Sequence, residues 1–192
     1  MLIYKVSNMS ASARTGEHIL SVAIRLYAEH GYAVTTADDI AKEAGVAKGL
    51  VSYYFHGKEG ILLAALKEVK EELDRICQLS DALSPEEKLE KLISAFCTSF
   101  EERVILWRMY LPLTVAEETK EWARFQVEEA FQKTYFPLLT KVFSSLGKGE
   151  VDRKIQQFEM MRRGTLLTYL AGNEQTTSKQ LQESWKSIFL TD

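Results

Sequence analysis

The sequence predicts an all-α protein, with a small helix-turn-helix head in front of a larger helical body. Three observations predict it. Apolar residues recur at helical spacing over most of the 192 residues, and no alternating, strand-like run interrupts them. Only three prolines break the pattern. Glycines close the periodic stretches at Gly31, Gly45, Gly147-Lys148-Gly149 and Gly172-Asn173.

Residues 1–13 are expected to be a flexible extension. Ala11-Ser12-Ala13 has the look of a cleavage site, but the apolar run before it, Leu2 to Tyr4, is far shorter than the roughly 7–15 residues of a secretory core. Met9 is an alternative start. The first helix is predicted from about Thr15 to His30, with Leu20, Ala23, Ile24 and Tyr27 as its buried stripe. Thr36 caps a second, short helix in a T-x-x-D box with Asp39, and Ile40, Ala41 and Ala44 form its inner face. A third helix runs from about Ala47 to Tyr54. Lys58 opens a long fourth, with Leu62, Leu66, Val69, Leu73 and Ile76 along one seam.

Past Ser80 the texture changes. Ser84-Pro85-Glu86-Glu87 is a helix start of cap, first-turn proline and capping glutamate, followed by Leu89, Leu92, Ile93, Phe96 and Phe100. A short segment with Trp107, Met109 and Tyr110 ends at Pro112. A long helix is predicted from about Val115 to Leu146, kinked near Pro137, then another from Val151 to Ala171. The last, capped by Thr177 with Gln180, presents Leu181, Trp185, Ile188 and Phe189 on one face.

Composition narrows the function classes. The formal charge of -3 does not advertise a polyanion partner. Cys77 and Cys97 sit in apolar helical contexts without metal or redox spacing, and read as reduced, buried thiols of a cytoplasmic protein. His18, His30 and His56 have no partners at metal-ligand spacing; His30 suits the negative end of its helix. The longest apolar run, "ILLAAL" at 61–66, is too short to span a membrane. No nucleophile elbow, phosphate loop or carboxylate pair stands out, so no enzyme, metal or cofactor is expected.

The informative stretch is "GVAKGLVSYYFHGKEGIL" (45–62). Two adjacent tyrosines cannot both face inward from one helix. Two short helices meeting at Gly45, with Ala41 small enough for a close crossing, make a helix-turn-helix over about 36–55 held from inside by Ile40, Val46, Val51 and Phe55. In such units the second helix enters the major groove while flanking groups grip phosphates. The outward set is then Lys48, Gly49, Ser52 and Tyr53, with Tyr54 and Lys58 at its end.

The run "GYAVTTADDIAKEAGVAKGLVSYYFHGKEGIL" (31–62) resembles the N-terminal domain of the TetR family of transcriptional regulators, and the resemblance covers residues 14–75. It implies a homodimer that binds double-stranded DNA at a near-palindromic operator, with residues 76–192 binding a small effector and dimerising. By position it places Lys48 at base edges, with Leu50 near a thymine methyl. Gly49 is in close approach, while Thr36, Ser52, Tyr53, Tyr54 and Lys58 lie along the phosphates. The sequence departs from the family pattern at Ala47, where a serine cap is usual, at Ser52, which shortens the reach, and at Asp38, whose carboxylate repels phosphate. Between Arg14 and Lys58 the charges balance, so the head is not basic.

In the body, Phe96, Phe100, Trp107, Tyr110, Trp122 and Phe125 are by default core, and the resemblance makes them candidates for an effector cavity, with Arg103, Arg108 and Glu121 as orienting charges. For the dimer interface the last two helices offer Ile155, Phe158, Met161, Leu166 and Tyr169, and Trp185 and Phe189. The expected function is a repressor released from its operator by a small, hydrophobic effector. The alternative is a helical ligand-binding or scaffold dimer with a degenerate head.

Overall fold

Ten α-helices and one π-helical segment carry the described residues, and no strand occurs among them. The computed structural model describes residues 11–147, 150–172 and 177–190; residues 1–10 of the expected extension, with Met9, lie outside them, as do Lys148, Gly149 and Asn173, whereas residues 11–13 of that extension are already helical.

The head is built from α1 (Ala11–His30), α2 (Ala37–Glu43), α3 (Lys48–Phe55) and the start of α4 (Lys58–Cys77). Its core side of α1 is Ile19, Val22, Ala23, Leu26 and Tyr27. Leu20 and Ile24 of the expected stripe are only half-buried, because α1 meets α2, α4 and α6 (Val104–Leu113) and the deepest line shifts by one residue. Thr36 accepts a hydrogen bond from the Asp39 amide at 3.1 Å, and the Asp39 carboxylate takes the Thr36 amide in return at 2.9 Å. That box satisfies amides a short helix would otherwise leave bare. Gly45 takes the left-handed turn at φ 65°, and Ile40, Ala41, Ala44 and Val51 close the unit from inside.

α4 links head and body, its Leu62, Leu66, Val69, Leu73 and Ile76 all buried. The body continues with α5 (Pro85–Glu102), α6, α7 (Lys120–Ala130), the π segment Phe131–Tyr135, α8 (Phe136–Leu146), α9 (Val151–Leu170) and α10 (Ser178–Phe189). Its centre is aromatic: Phe96, Phe100, Tyr135, Phe143, Phe158, Trp185 and Phe189 are buried and meet mostly edge-on or tilted. The indoles keep their polar handles satisfied, Trp107 on Ser99 at 3.0 Å and Trp185 on Thr165 at 2.9 Å.

The long helix expected from Val115 differs in two respects. α6 runs one residue past Pro112 and ends in a turn, where the Thr119 hydroxyl donates to the Leu113 carbonyl at 3.0 Å; the helix restarts at Lys120. Instead of a simple kink at Pro137, the chain widens into the π segment. A proline cannot donate to the carbonyl four residues back, and its ring crowds that carbonyl. The wider turn accommodates both, with the Phe136 amide donating to Phe131. On α10, Trp185 and Phe189 are buried but Ile188 is 48% exposed, one step off the inner line.

Candidate nucleic-acid interface and internal cavity

The exposed face of α3 is Lys48, Gly49, Leu50, Ser52 and Tyr53, with Tyr53 72% exposed. Val51, on the opposite side, is fully buried and fixes the helix's rotation. Tyr54 faces back instead: its ring packs on Gly16 and its hydroxyl is 2.9 Å from Ser12 Oγ, pinning α3 to the start of α1. Lys58 is half-buried, with Nζ donating to the Ala33 carbonyl at 3.0 Å and lying over the Tyr32 ring. Thr36 is exposed, but its hydroxyl is engaged in the cap. Ala47 makes no side-chain cap. Lys48 Nζ reaches Asp38 Oδ1, so the ammonium expected at base edges carries its own counterion. Asp38, expected from the sequence only to repel phosphate, thus pairs with Lys48 across the turn.

α3 ends at His56 in the left-handed region (φ 56°), followed by Gly57 at φ 108°. Just beyond, Gly60 has no space for a side chain, since a Cβ there would meet the Phe55 carbonyl oxygen at 1.7 Å. The joint of α3 and α4 therefore depends on two adjacent turn residues and one close backbone approach.

In the body, a cavity of about 680 Å³ lies between α6, α7, the π segment and α9. Of the aromatic set expected to line it, only Tyr110 does. Phe96, Phe100 and Trp107 are core side chains, consumed in the packing of α5 and α6. Trp122 and Phe125 point outward, Phe125 being 79% exposed in an adjoining groove with Glu121, Glu128, Glu129 and Gln132. Arg103 instead bridges Glu68 and Glu72 of α4. Burial opposes charge on Glu72, but hydrogen bonds from Arg75 and Ser99 and the nearby Arg103 charge outweigh it and hold the carboxyl below its ordinary range.

The cavity wall is Tyr110, Leu111, Phe131, Phe136 and Leu166, with a polar floor of Glu159 and Arg162. Arg162 is buried, donates to Glu159 through Nε and Nη2 at 2.9 and 2.8 Å, and lies over the rings of Phe96, Phe131 and Tyr135. Burial opposes charge on both partners, yet their mutual hydrogen bonds outweigh it, raising the Arg162 pKa and lowering that of Glu159. Burial pushes the Tyr110 phenol up to about 12. The sequence held a sign of this floor: Arg162 falls on the buried line Phe158, Thr165, Leu166 of α9, where a charge needs a partner.

The proposed dimer residues largely face the wrong way. Phe158, Leu166, Trp185 and Phe189 are buried in the protomer's own core, and Ile155, Met161 and Tyr169 pack half-buried against it. The exposed apolar residues of these helices are Met160 (67%), Leu167 (55%) and Ile188, with Gly164 also exposed. Cys77 and Cys97 are buried free thiols. No group of acidic, histidine or cysteine side chains among the described residues is placed to hold a metal, and no described helix is long and apolar enough to cross a membrane.

Residues 19–65 match the family model of bacterial regulatory proteins of the tetR family. The chain is 28% identical over 160 residues, 80% of its length and 54% of the relative's, to the uncharacterized HTH-type transcriptional regulator YerO of Bacillus subtilis (strain 168). It is 33% identical over 104 residues, 53% of its length and 55% of the relative's, to IcaR of Staphylococcus aureus (strain Newman), the negative transcriptional regulator of the biofilm operon icaADBC. The chain thus matches about half the length of these curated relatives. Among solved structures, the regulator FadR of Bacillus subtilis in complex with stearoyl-CoA is similar in fold, with a TM-score of 0.71 at 22% identity over 91% of this chain and 97% of that one.

Proposed function

We propose, because this chain belongs to the TetR family of bacterial regulatory proteins, that it is a homodimeric, sequence-specific DNA-binding repressor released from its operator by a small effector. The observation that carries the reading is the bare face of α3, where Lys48, Gly49, Leu50, Ser52 and Tyr53 project from a helix locked in place by Val51 and Tyr54. A rigid helix with a polar, aromatic outer face and a glycine for close approach suits the major groove. Lys48 and Leu50 are the base-reading residues of this proposal. Thr36, Ser52 and Tyr53 contact phosphates, and Tyr54 and Lys58 act by holding the α1, α3 and α4 ends in place beside them.

Dimerisation is assigned to the outer faces of α9 and α10, through Met160, Gly164, Leu167 and Ile188, which are apolar or small and exposed. Two heads so joined would read half-sites about 34–36 Å apart, or somewhat beyond. The effector enters the cavity beside α6, and α6 rests on α1 of the head, so occupancy alters the seat of the reading unit. The FadR structure of similar fold is a complex with stearoyl-CoA, which supports a small-molecule role for this fold.

Selection of sites from random duplex DNA tests the reading. Enrichment of an inverted repeat is the expected result. The Asp38–Lys48 pair, the missing cap at Ala47 and the balanced charge of the head favour one competing reading, a ligand-binding dimer with a degenerate head. No enrichment even at low salt would decide for it.

A further inference from the structure

The cavity's charges are unevenly matched. Every described cation on its wall already has a carboxylate: Arg162 is held by Glu159, Arg163 shares that group at 3.7 Å, and Lys120 pairs with Glu117 at 2.6 Å. Two wall carboxylates differ. Glu121 and Glu128 have no ion pair among the described residues, and Glu128 receives only a hydrogen bond from Gln132, at 2.7 Å. Their neighbour Glu129 takes up the nearby lysines, Lys70 and Lys133. Beside them stand the rings of Tyr110, Phe131 and Phe136, with Phe125 in the adjoining groove that Glu121 and Glu128 also line.

We propose that this cavity binds a lipophilic organic cation, such as a quaternary ammonium or phosphonium with an apolar body, and that an anionic ligand is disfavoured. An anion entering here would find the described cations already paired with Glu159 and Glu117, and would lie next to two carboxylates that no described cation neutralises. A cation gains both carboxylates and the negative faces of the rings, while its body fills apolar wall. The space, about 680 Å³, accommodates a molecule of drug size. As an effector this ligand rests on the regulator reading; as a ligand of the cavity it does not.

The test uses two ions of the same shape and opposite charge. Tetraphenylphosphonium and tetraphenylborate are titrated into the full-length protein by calorimetry, without DNA. The expected result is at least tenfold tighter binding of the phosphonium. Its affinity should fall at least tenfold in the double variant Glu121→Gln, Glu128→Gln, with binding of the borate unchanged or improved. Equal or tighter binding of the borate, no binding of the phosphonium, or a double variant that binds it like the parent would each overturn the assignment. Since no DNA is present, such a failure leaves the reading head untouched. Conversely, phosphonium binding by a protein that selects no DNA sequence would keep the cavity assignment and remove its regulatory role.

Discussion

Lys48 Nζ lies 2.7 Å from Asp38 Oδ1, tying the first turn of α3 to the first turn of α2 across the bend that joins them. Both side chains are exposed, so the pair adds little to stability. Its effect falls on recognition. A G·C pair shows an acceptor, guanine O6, beside a donor, cytosine N4, and an ammonium next to a carboxylate is complementary to that pattern. Asp38→Asn is expected to free the lysine for phosphate, tighten binding to unrelated duplexes and steepen log K against log salt by about 0.9 per subunit. It should also weaken a G·C preference at one position of each half-site. An unchanged salt slope together with an unchanged selected site would remove both roles from this pair.

The two neighbouring tyrosines should separate cleanly. Tyr53 is solvent-facing, so Tyr53→Ala should leave stability within about 0.5 kcal/mol of the parent while weakening DNA binding. Tyr54 packs on Gly16 and meets Ser12, so Tyr54→Ala should cost roughly 1–2 kcal/mol of stability as well. Urea melts alongside a DNA titration distinguish them; equal stability losses would mean the faces of α3 are misassigned.

Gly60 provides a test of the joint between α3 and α4. Gly60→Ala must push its methyl into the Phe55 carbonyl, and roughly 1–3 kcal/mol of destabilisation is expected, although alanine is the better helix former. A gain in thermal midpoint would contradict the close approach.

Opposite sides of the last two helices should behave differently. Leu167→Glu, on the exposed face, is expected to give folded monomers by sedimentation with unaltered helical content. Trp185→Ala, in the core and bonded to Thr165, should instead cost about 3–5 kcal/mol of protomer stability. A Leu167→Glu protein that remains a dimer would exclude that face.

Burial, aided by Asp74 and Glu101, raises the thiols of Cys77 and Cys97 from 9.0 to about 12. The unfolded chain then releases protons at lower pH than the folded one. Their contribution to stability is complete below pH 9 and drains away as the pH climbs towards about 12. At pH 8 both should resist a thiol reagent in the native protein and react on unfolding; rapid native labelling would contradict their burial.

Local chemistry made much of this architecture legible. The caps at Thr36, Ser84 and Thr177, the turn at Gly45 and the seam of α4 depend on residues within a turn or two of one another. The face of α9 was not legible in the same way. It carries apolar residues on both sides, Phe158 and Leu166 inward and Met160 and Leu167 outward, and periodicity cannot say which side meets a neighbour. Nor could spacing reveal the cavity, because Tyr110, Phe131 and Arg162 come from separate elements and meet only after α6 and α9 have packed. Aromatic richness pointed to Phe96, Phe100 and Trp107, the side chains too valuable to the core to remain free.

α6 belongs to two rooms at once, since Tyr110 and Leu111 form part of the cavity wall while the helix rests against α1 of the head. On the proposed function, traffic through that shared wall runs equally in both directions: whatever factor the ligand takes from operator affinity, the operator takes from ligand affinity. The dose that relieves repression is then set partly by the DNA. A cell carrying many copies of the operator should need more ligand to respond than the affinity of the free protein implies, and a titration on naked protein should report the most sensitive response the system can give.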